Sequence, residues 1–408
     1  LHCIKEYVSL YITMSKKVWY APNKFESYGE EEIAAVESCL RDGWLAGFGD
    51  RTISFEKRVS EYFGKRSGLF VNSGSSAILA GLASLDLPSG SDVVTPACGF
   101  STTVAPIMQL GLNPVFCDVE LTTYVPSPEQ VRDAVTPNTK CIILPNLIGN
   151  KPNWEKIREL CPGIILFEDS ADTMTRTDCT DISTTSFYAS HVITAGGIGG
   201  MVMFNDDEHL KRAIMFRDWG RIGDNIEEPS ERFNHSVDGI PYDWKFLYGV
   251  AGYHLKACEM NAAFGLVQMD KLEGFLKLRR QLIDRYIENL KDVSYYTLPD
   301  DSIKPNWLAI PLQCADRLEL VNFMEKNNVQ TRVTFAGNIT RHPAFRQYLN
   351  DYENADKIMK DGFLLGAHHG MTLDDVDRVC DLLKHFALSK MGSTLWLPDW
   401  AKNLPGIP

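Results

Sequence analysis

The chain has 408 residues, of which 44% are hydrophobic and 23% are charged, an ordinary globular composition with room for one large domain and one smaller domain. The formal net charge is -12 without a basic block, which argues against a nucleic-acid partner but leaves room for a local basic pocket for an anionic substrate. The sequence predicts no membrane span, because no apolar run approaches about 18 residues. Ten singly placed cysteines indicate reduced thiols in a cytoplasmic protein.

Helices are predicted first, from apolar residues at helical spacing in EEEIAAVESCL (30–40) and ISFEKRVSEYF (53–63). Short apolar runs then predict buried strands, with helical segments between several of them. These runs are GLFV (68–71), DVVT (92–95), PVFCDV (114–119), CIILPN (141–146) and IILFE (164–168). The alternation predicts an α/β fold with a mostly parallel sheet that helices cover on both faces.

After about residue 256 the pattern changes to one long helical run, KACEMNAAFGLVQMDKLEGFLKLRRQLIDRYIENL. Strand candidates WLAIPL and VQTRV and helical candidates ADRLELVNFMEKN and DDVDRVCDLLKHF follow it. We therefore predict a large domain at 14–256, a smaller C-terminal α/β domain at 257–390, and terminal extensions at 1–13 and 391–408. Residues 1–13 make a poor signal peptide because they are weakly apolar and contain charges. Met14 is a candidate for the natural start, and the sequence leaves open whether residues 1–13 are native.

Candidate site residues follow the predicted strands, where ligands bind in an open parallel sheet. In VNSGSSAILAGL (71–82), Gly74 and Ser75 open a helix, an arrangement that suits a phosphate and equally suits a plain N-cap serine. In PACGFSTT (96–103), Phe100 could stack on a flat ring or belong to the core.

Three carboxylates stand within five residues in FEDSAD (167–172), where burial without partners would be costly. Asp169 is a candidate partner for a protonated ring nitrogen, whereas a solvated loop is an alternative for Glu168. Ser186 and His191 follow, before the glycine run AGGIGG, which would let backbone lie close to a bound molecule. These residues offer a helix N-terminus for a phosphate, an aromatic side chain for ring stacking, a carboxylate and a base. Together they predict a site for a phosphorylated heteroaromatic cofactor.

The order of NSGSSA, PACGFSTT, FEDSAD and SFYASHVITAGGIGGMV resembles the DegT/StrS family of sugar aminotransferases, which use pyridoxal 5'-phosphate on the fold type I scaffold. The resemblance extends from about residue 20 to residue 385. It implies phosphate contacts from Gly74, Ser75 and Ser186, ring stacking by Phe100, a pyridine-nitrogen contact from Asp169, and Asp172 near the ring hydroxyl. His254 stands where the family commonly has an asparagine that reaches the neighbouring subunit's phosphate, which implies a homodimer.

His191 occupies the position of the family's catalytic lysine, and no lysine occurs between Lys156 and Lys211. A lysine amine forms a Schiff base with the cofactor, whereas an imidazole cannot, although it can move protons near neutral pH. This exchange resembles the sugar 3-dehydratase branch, in which the cofactor works as non-covalent pyridoxamine 5'-phosphate. RDWGR (217–221), DGIPYDWKF (238–246) and TRVTFAGNITRHPAF (331–345) also resemble that branch.

One design within that branch uses an iron–sulfur cluster on four cysteines, several of them soon after the RDWGR motif. This chain has no cysteine there, and Cys258 is the only one between Cys179 and Cys314. We therefore expect the design without an iron–sulfur cluster, which recovers its amine from glutamate. Val192, the longer glycine run and His254 depart from the branch and leave the exact substrate open.

The resemblance implies a 3-dehydratase, with a histidine base, that removes the C3 hydroxyl of a nucleotide-linked 4-keto-6-deoxyhexose during synthesis of 3,6-dideoxysugars for surface polysaccharides. Three alternatives stay open: a reductase-coupled 3-dehydratase, a nucleotide-sugar aminotransferase, and a non-catalytic relative that binds cofactor or sugar. The sequence does not specify the nucleotide or the sugar stereochemistry.

Overall fold

The computed structural model describes residues 16–22, 26–223 and 228–391. Met14, the predicted extension at 1–13, and residues 392–408 of the second extension lie outside these ranges. No helix within them is long and apolar enough to cross a membrane.

The larger sheet has seven strands in the order β1-β7-β6-β5-β4-β2-β3, and only β7 runs antiparallel to its neighbours. Its strands are β1 Ser67–Val71, β2 Asp92–Pro96, β3 Asn113–Cys117, β4 Thr139–Pro145, β5 Ile165–Ser170, β6 Ile182–Ser186 and β7 Gly200–Phe204. The smaller antiparallel sheet has the order β10-β12-β11, and a separate hairpin pairs β8 with β9. These strands are β8 His235–Val237, β9 Ile240–Tyr242, β10 Ala309–Gln313, β11 Thr331–Val333 and β12 Gly362–Gly366.

Helices alternate with the strands of the larger sheet and continue into the C-terminal part. They are α1 Glu30–Asp42, α2 Asp50–Phe63, α3 Gly74–Ser84, α4 Ser101–Gln109, α5 Pro128–Ala134, α6 Trp154–Leu160, α7 Asp207–Arg217, α8 Pro229–Arg232, α9 Glu259–Leu290, α10 Arg317–Lys326, α11 Glu353–Asp361 and α12 Leu373–Met391. Short 3-10 turns lie at Leu147–Gly149, Trp244–Phe246, Ile339–Arg341 and Pro343–Tyr348. The predicted α/β fold with a mostly parallel sheet is confirmed.

Helix α9 links the two parts of the fold. Toward its middle, Lys271 pairs with Glu32 of α1, and near its end Arg285 pairs with Asp377 of α12. The strands β1 to β6 that are parallel to one another all end at the same edge of the sheet, so the loops that follow them meet there.

The segment 16–22 lies against the smaller sheet. Val18 forms a parallel bridge with Val329, and the Tyr20 amide donates to Gln330 Oε1 (3.1 Å). This contact brings the Tyr20 side chain from the start of the chain into the C-terminal core. The division of the chain at residue 256 stays a prediction.

Candidate active site

The turn between β1 and α3, at residues 72–75, is the candidate phosphate site. Ser73 is the N-cap of α3, and its Oγ accepts a hydrogen bond from the Ser76 amide (3.1 Å). The first amides of a helix have no acceptor within the helix and favour an anion. Since Ser73 does the capping, Gly74 and Ser75 occupy the first two helical positions, where they suit a phosphate.

The phosphate turn touches the end of β6 and the start of α4. A Cβ atom on Gly74 would lie 2.7 Å from Ser186 Cβ, so a side chain at this position would fill the space between them. Ser75 Oγ donates to Thr102 Oγ1 (2.9 Å). The structure therefore brings Gly74, Ser75 and Ser186 together, as the sequence predicted, and adds Thr102, which sequence reasoning missed.

Phe100 immediately precedes α4, and its side chain is 52% exposed, with an edge-on contact to Phe335 (6.3 Å between ring centroids). The alternative that Phe100 belongs to the core is therefore wrong. Thr103, in the first turn of α4, donates its hydroxyl to Asp169 Oδ2 (2.7 Å). The start of α4 therefore lies between the exposed ring of Phe100 and the buried carboxylate of Asp169. Thr103 is a second site residue that sequence reasoning missed.

Asp169 and Glu168 are neighbours on β5 and point to opposite faces of the sheet. Burial raises the pKa of Asp169 to about 6, against the lowering effect of the Thr103 hydrogen bond. A cation beside Asp169 would lower that pKa, because it favours the charged carboxylate. Glu168 is fully buried and accepts hydrogen bonds from Asn146 Nδ2 (2.8 Å) and Ser183 Oγ (2.6 Å), so the solvated-loop alternative for Glu168 is wrong.

Asp172 and His191 face each other across the turns that follow β5 and β6. Asp172 Oδ1 lies 4.0 Å from His191 Nε2, and Asp172 Oδ2 accepts a hydrogen bond from the Ile148 amide (2.7 Å). Burial raises the pKa of Asp172 to about 7 and lowers the pKa of His191 to about 4. At neutral pH, His191 is therefore an uncharged imidazole that can accept a proton.

The glycine run approaches the phosphate turn. The Gly199 amide donates to the Asn72 carbonyl (3.0 Å), and a Cβ on Gly200 would lie 2.3 Å from the Ser73 carbonyl carbon. Gly196 and Gly197 have φ angles of 73° and 96° at the tip of a tight hairpin, where their lack of a side chain makes this backbone accessible. The observed close approach is thus to the protein's own turn, and contact with a bound molecule stays a prediction.

The ring of His254 is exposed and stacks on Trp219 (4.7 Å between centroids, 16° between planes). No hydrogen bond or ring contact in the described part of the chain joins it to His191. Its backbone nevertheless borders the phosphate turn, because the Asn72 amide donates to the Leu255 carbonyl (2.8 Å). The single chain therefore does not bring the His254 side chain into the group formed by the other predicted residues.

Within residues 16–22, 26–223 and 228–391, no three His, Cys, Asp or Glu side chains are arranged to hold a metal ion. Every cysteine in these ranges is a free thiol. The absence of an iron–sulfur cluster stays a prediction.

The model of the DegT/DnrJ/EryC1/StrS aminotransferase family matches residues 26–384. The chain belongs to this family. The predicted family and the fold type I scaffold are thereby confirmed.

Members of the family similar to this chain include enzymes that modify nucleotide-linked sugars. The chain is 35% identical to the dTDP-4-dehydro-2,6-dideoxy-D-glucose 3-dehydratase of Saccharopolyspora spinosa, over 88% of this chain and 84% of the relative. It is 33% identical to the lipopolysaccharide biosynthesis protein RfbH of Salmonella typhimurium, over 88% of this chain and 90% of that relative. A crystal structure of a GDP-4-keto-6-deoxymannose-3-dehydratase mutant with bound GDP-perosamine matches with a TM-score of 0.80 and 25% identity, over 89% of this chain and all of the other. A dTDP-4-dehydro-2,3,6-trideoxy-D-glucose 4-aminotransferase of Saccharopolyspora spinosa is also among the relatives, so family membership leaves both reactions open.

Proposed function

We propose that this chain is a pyridoxamine-phosphate-dependent 3-dehydratase that acts on a nucleotide-linked 4-keto-6-deoxyhexose. The observation that supports this proposal most strongly is the largely buried, uncharged imidazole of His191 opposite Asp172. An imidazole can accept and return a proton, but it cannot form the covalent lysine link that a sugar aminotransferase of this family would use. The site therefore suits proton transfer without a covalently held cofactor.

The residues at the strand ends fit such a cofactor. Gly74, Ser75 and Ser186 would hold its phosphate, since they line one cradle at a helix N-terminus. Phe100 would cover its ring, and Asp169 would favour a positive charge on the ring nitrogen. When bound, pyridoxamine phosphate supplies an amine for the sugar's C4 ketone and a conjugated ring that delocalises negative charge.

His191 supplies the proton transfers of the reaction. Its Nε2 atom accepts a proton during the elimination and returns it to the departing C3 oxygen, which leaves as water. The C3–O bond breaks, and the proton count of His191 is restored at the end of this step. A general acid and base of this kind typically contributes a factor of about 10² to 10⁴ in rate. Asp172 would lie near the ring hydroxyl.

We also propose a homodimer with twofold symmetry, in which His254 points to the partner's phosphate site. The β8–β9 hairpin exposes apolar side chains, with Val237, Ile240 and Tyr242 each 46% exposed or more. An isolated two-stranded hairpin is marginally stable, and exposed apolar patches mark interfaces. Sedimentation velocity should show a dimer at working concentrations, and a fully active monomer would contradict this proposal.

Mass spectrometry of the product tests the proposed reaction. The protein is incubated with pyridoxal phosphate, glutamate as the proposed amine donor, and 4-keto-6-deoxyhexoses linked to GDP, CDP, dTDP or UDP. We expect one of these sugars to lose its C3 oxygen and keep its C4 ketone.

Each alternative has its own result in the same assay. A 4-amino sugar would identify an aminotransferase, and turnover only with an added reductase would identify the reductase-coupled type. Binding without turnover of any sugar would identify a non-catalytic relative. The control is His191→Asn, which should bind the same sugar without removing its oxygen.

A further inference from the structure

The side chains of Asp172 and His191 are largely buried. The side chains are 12% and 17% exposed, respectively. Among the described residues, Asp172 is the charged group that lies at ion-pair distance from this imidazole. A carboxylate at 4.0 Å in such surroundings acts strongly on a neighbouring base, because water screens the interaction little.

A strained turn fixes the orientation of Asp172. Ile148 has φ 62° and ψ -2°, a left-handed conformation that is a genuine outlier for a β-branched residue. In this conformation the Ile148 amide donates to Asp172 Oδ2 (2.7 Å), and the Ile148 carbonyl accepts from the Leu308 amide (2.7 Å). Gly149 follows with φ 111°. The turn thus holds one carboxylate oxygen and leaves the other toward His191.

We propose that Asp172 is a positioning residue that shares one proton with His191 and thereby sets the strength of this base. When Asp172 holds the proton, the imidazole faces a neutral carboxyl group and is a weak base. When Asp172 has lost it, the carboxylate stabilises the imidazolium that forms as Nε2 accepts a proton during the elimination. One proton moves and no electron is transferred. The inference deepens the proposed function and rests on it only for the identity of the substrate.

The charged groups around the pair raise the pKa of Asp172 and lower the pKa of His191. Asp169, on β5, raises the pKa of Asp172 beyond the effect of burial. Arg279, on α9, lowers the pKa of His191, and its guanidinium is held by the Leu308 carbonyl (3.0 Å). Burial raises the pKa of Tyr20, from the segment beside the smaller sheet, and the Asp172 carboxylate raises it further. The pKa of Asp172 is about 7 and that of His191 is about 4. The net charge of the pair therefore changes near neutral pH, where Asp172 ionises.

Nitrogen NMR of the histidine rings tests the pair in the full-length protein without sugar, both cofactor-free and reconstituted with pyridoxamine phosphate. His191→Asn identifies the His191 signals. We expect these signals in the cofactor-free parent to show two inflections, one near pH 4 for the imidazole and one near pH 7 that reports Asp172.

Two isosteric variants assign the upper inflection. Asp172→Asn can still accept the Ile148 hydrogen bond, so the turn is retained while the ionisable group is lost. It should abolish the inflection near pH 7. The control Asp169→Asn should keep that inflection and move it to lower pH, because Asp169 raises the pKa of Asp172. A parent without the upper inflection, or an Asp172→Asn protein that retains it, would overturn the inference.

The pH dependence of kcat/KM adds a second test, because Asp172→Asn would not change it if Asp172 had a purely structural role. In the parent, kcat/KM for the 4-keto sugar should rise with pH through the ionisation of Asp172. In Asp172→Asn this rise should be absent, and the rate above pH 7 should fall at least about tenfold, the equivalent of one pKa unit in base strength. Because the NMR experiment needs no turnover, inactivity toward every sugar would refute the proposed function while the shared proton is still tested.

Discussion

Replacing Gly200 with alanine tests how the glycine run supports the phosphate turn. Gly200 starts β7 opposite Val71, the last residue of β1. A Cβ atom there would lie 2.3 Å from the carbonyl carbon and oxygen of Ser73 and 2.5 Å from the Gly74 nitrogen. These are backbone atoms, which cannot turn aside as a flexible side chain can. The substitution must therefore separate β7 from the phosphate turn.

Gly200→Ala should lower the free energy of unfolding by about 1 to 3 kcal/mol, the usual cost of overpacking. Gly274→Ala is the matched control, because Gly274 lies in α9 with nothing within 4 Å of its Cβ position. That change should stabilise the protein by about 0.5 to 1 kcal/mol, since alanine favours a helix interior. The two glycine-to-alanine changes are thus expected to have opposite signs.

The assay is urea unfolding of the cofactor-free proteins, followed by titration of each folded protein with pyridoxamine phosphate. Gly200→Ala should bind the cofactor more weakly than the parent, by about tenfold for each 1.4 kcal/mol of lost phosphate interaction. Gly274→Ala should bind it with unchanged affinity. Parental stability together with parental affinity in Gly200→Ala would refute the argument that this glycine shapes the phosphate turn.

Three further predictions concern the cofactor ring and the base. Phe100→Leu should leave stability within about 1 kcal/mol of the parent, because the ring is half exposed, but fluorescence titration should show up to about tenfold weaker cofactor binding. His191→Lys should form a cofactor adduct that borohydride traps and peptide mapping locates, whereas an adduct in the parent would contradict a non-covalent cofactor. Asp172→Asn should gain stability relative to the parent as pH rises from about 4 to 7, because burial makes the folded state hold this proton longer than the unfolded state. The gain, measured by unfolding at several pH values, should reach at most about 4 kcal/mol, and an equal pH dependence in both proteins would contradict it.

Much of the fold follows from local pattern. The apolar runs that predicted β1 to β5 are each long enough for one buried strand, and their alternation with helices specifies a parallel sheet. Gly74 and Asp169 could be predicted as site residues because both stand where such a strand ends. Strand β6 has the mostly polar sequence ISTTS, so it is not among the apolar runs that predict strands.

Other features depend on contacts between distant parts of the chain. Glu168 and Asp169 are adjacent acidic residues, and only the orientation of β5 decides which one is sequestered among hydroxyls and which faces the site. Thr103 becomes a site residue because α4 points its first turn at β5. The amide of Ile148 has no sequence signal, since any residue has an amide and only the left-handed turn aims this one at Asp172.

Whether His191 is the base is tested most directly by comparing His191→Asn with the parent in a single turnover. Both proteins are loaded with pyridoxamine phosphate and saturated with the 4-keto sugar that the parent uses, and mass spectrometry follows the loss of the C3 oxygen. Asparagine keeps much of the size and hydrogen-bonding capacity of histidine but cannot shuttle a proton. We expect unchanged binding and a rate at least about 10²-fold lower. Dehydration by His191→Asn at the parent rate would show that His191 is not the base.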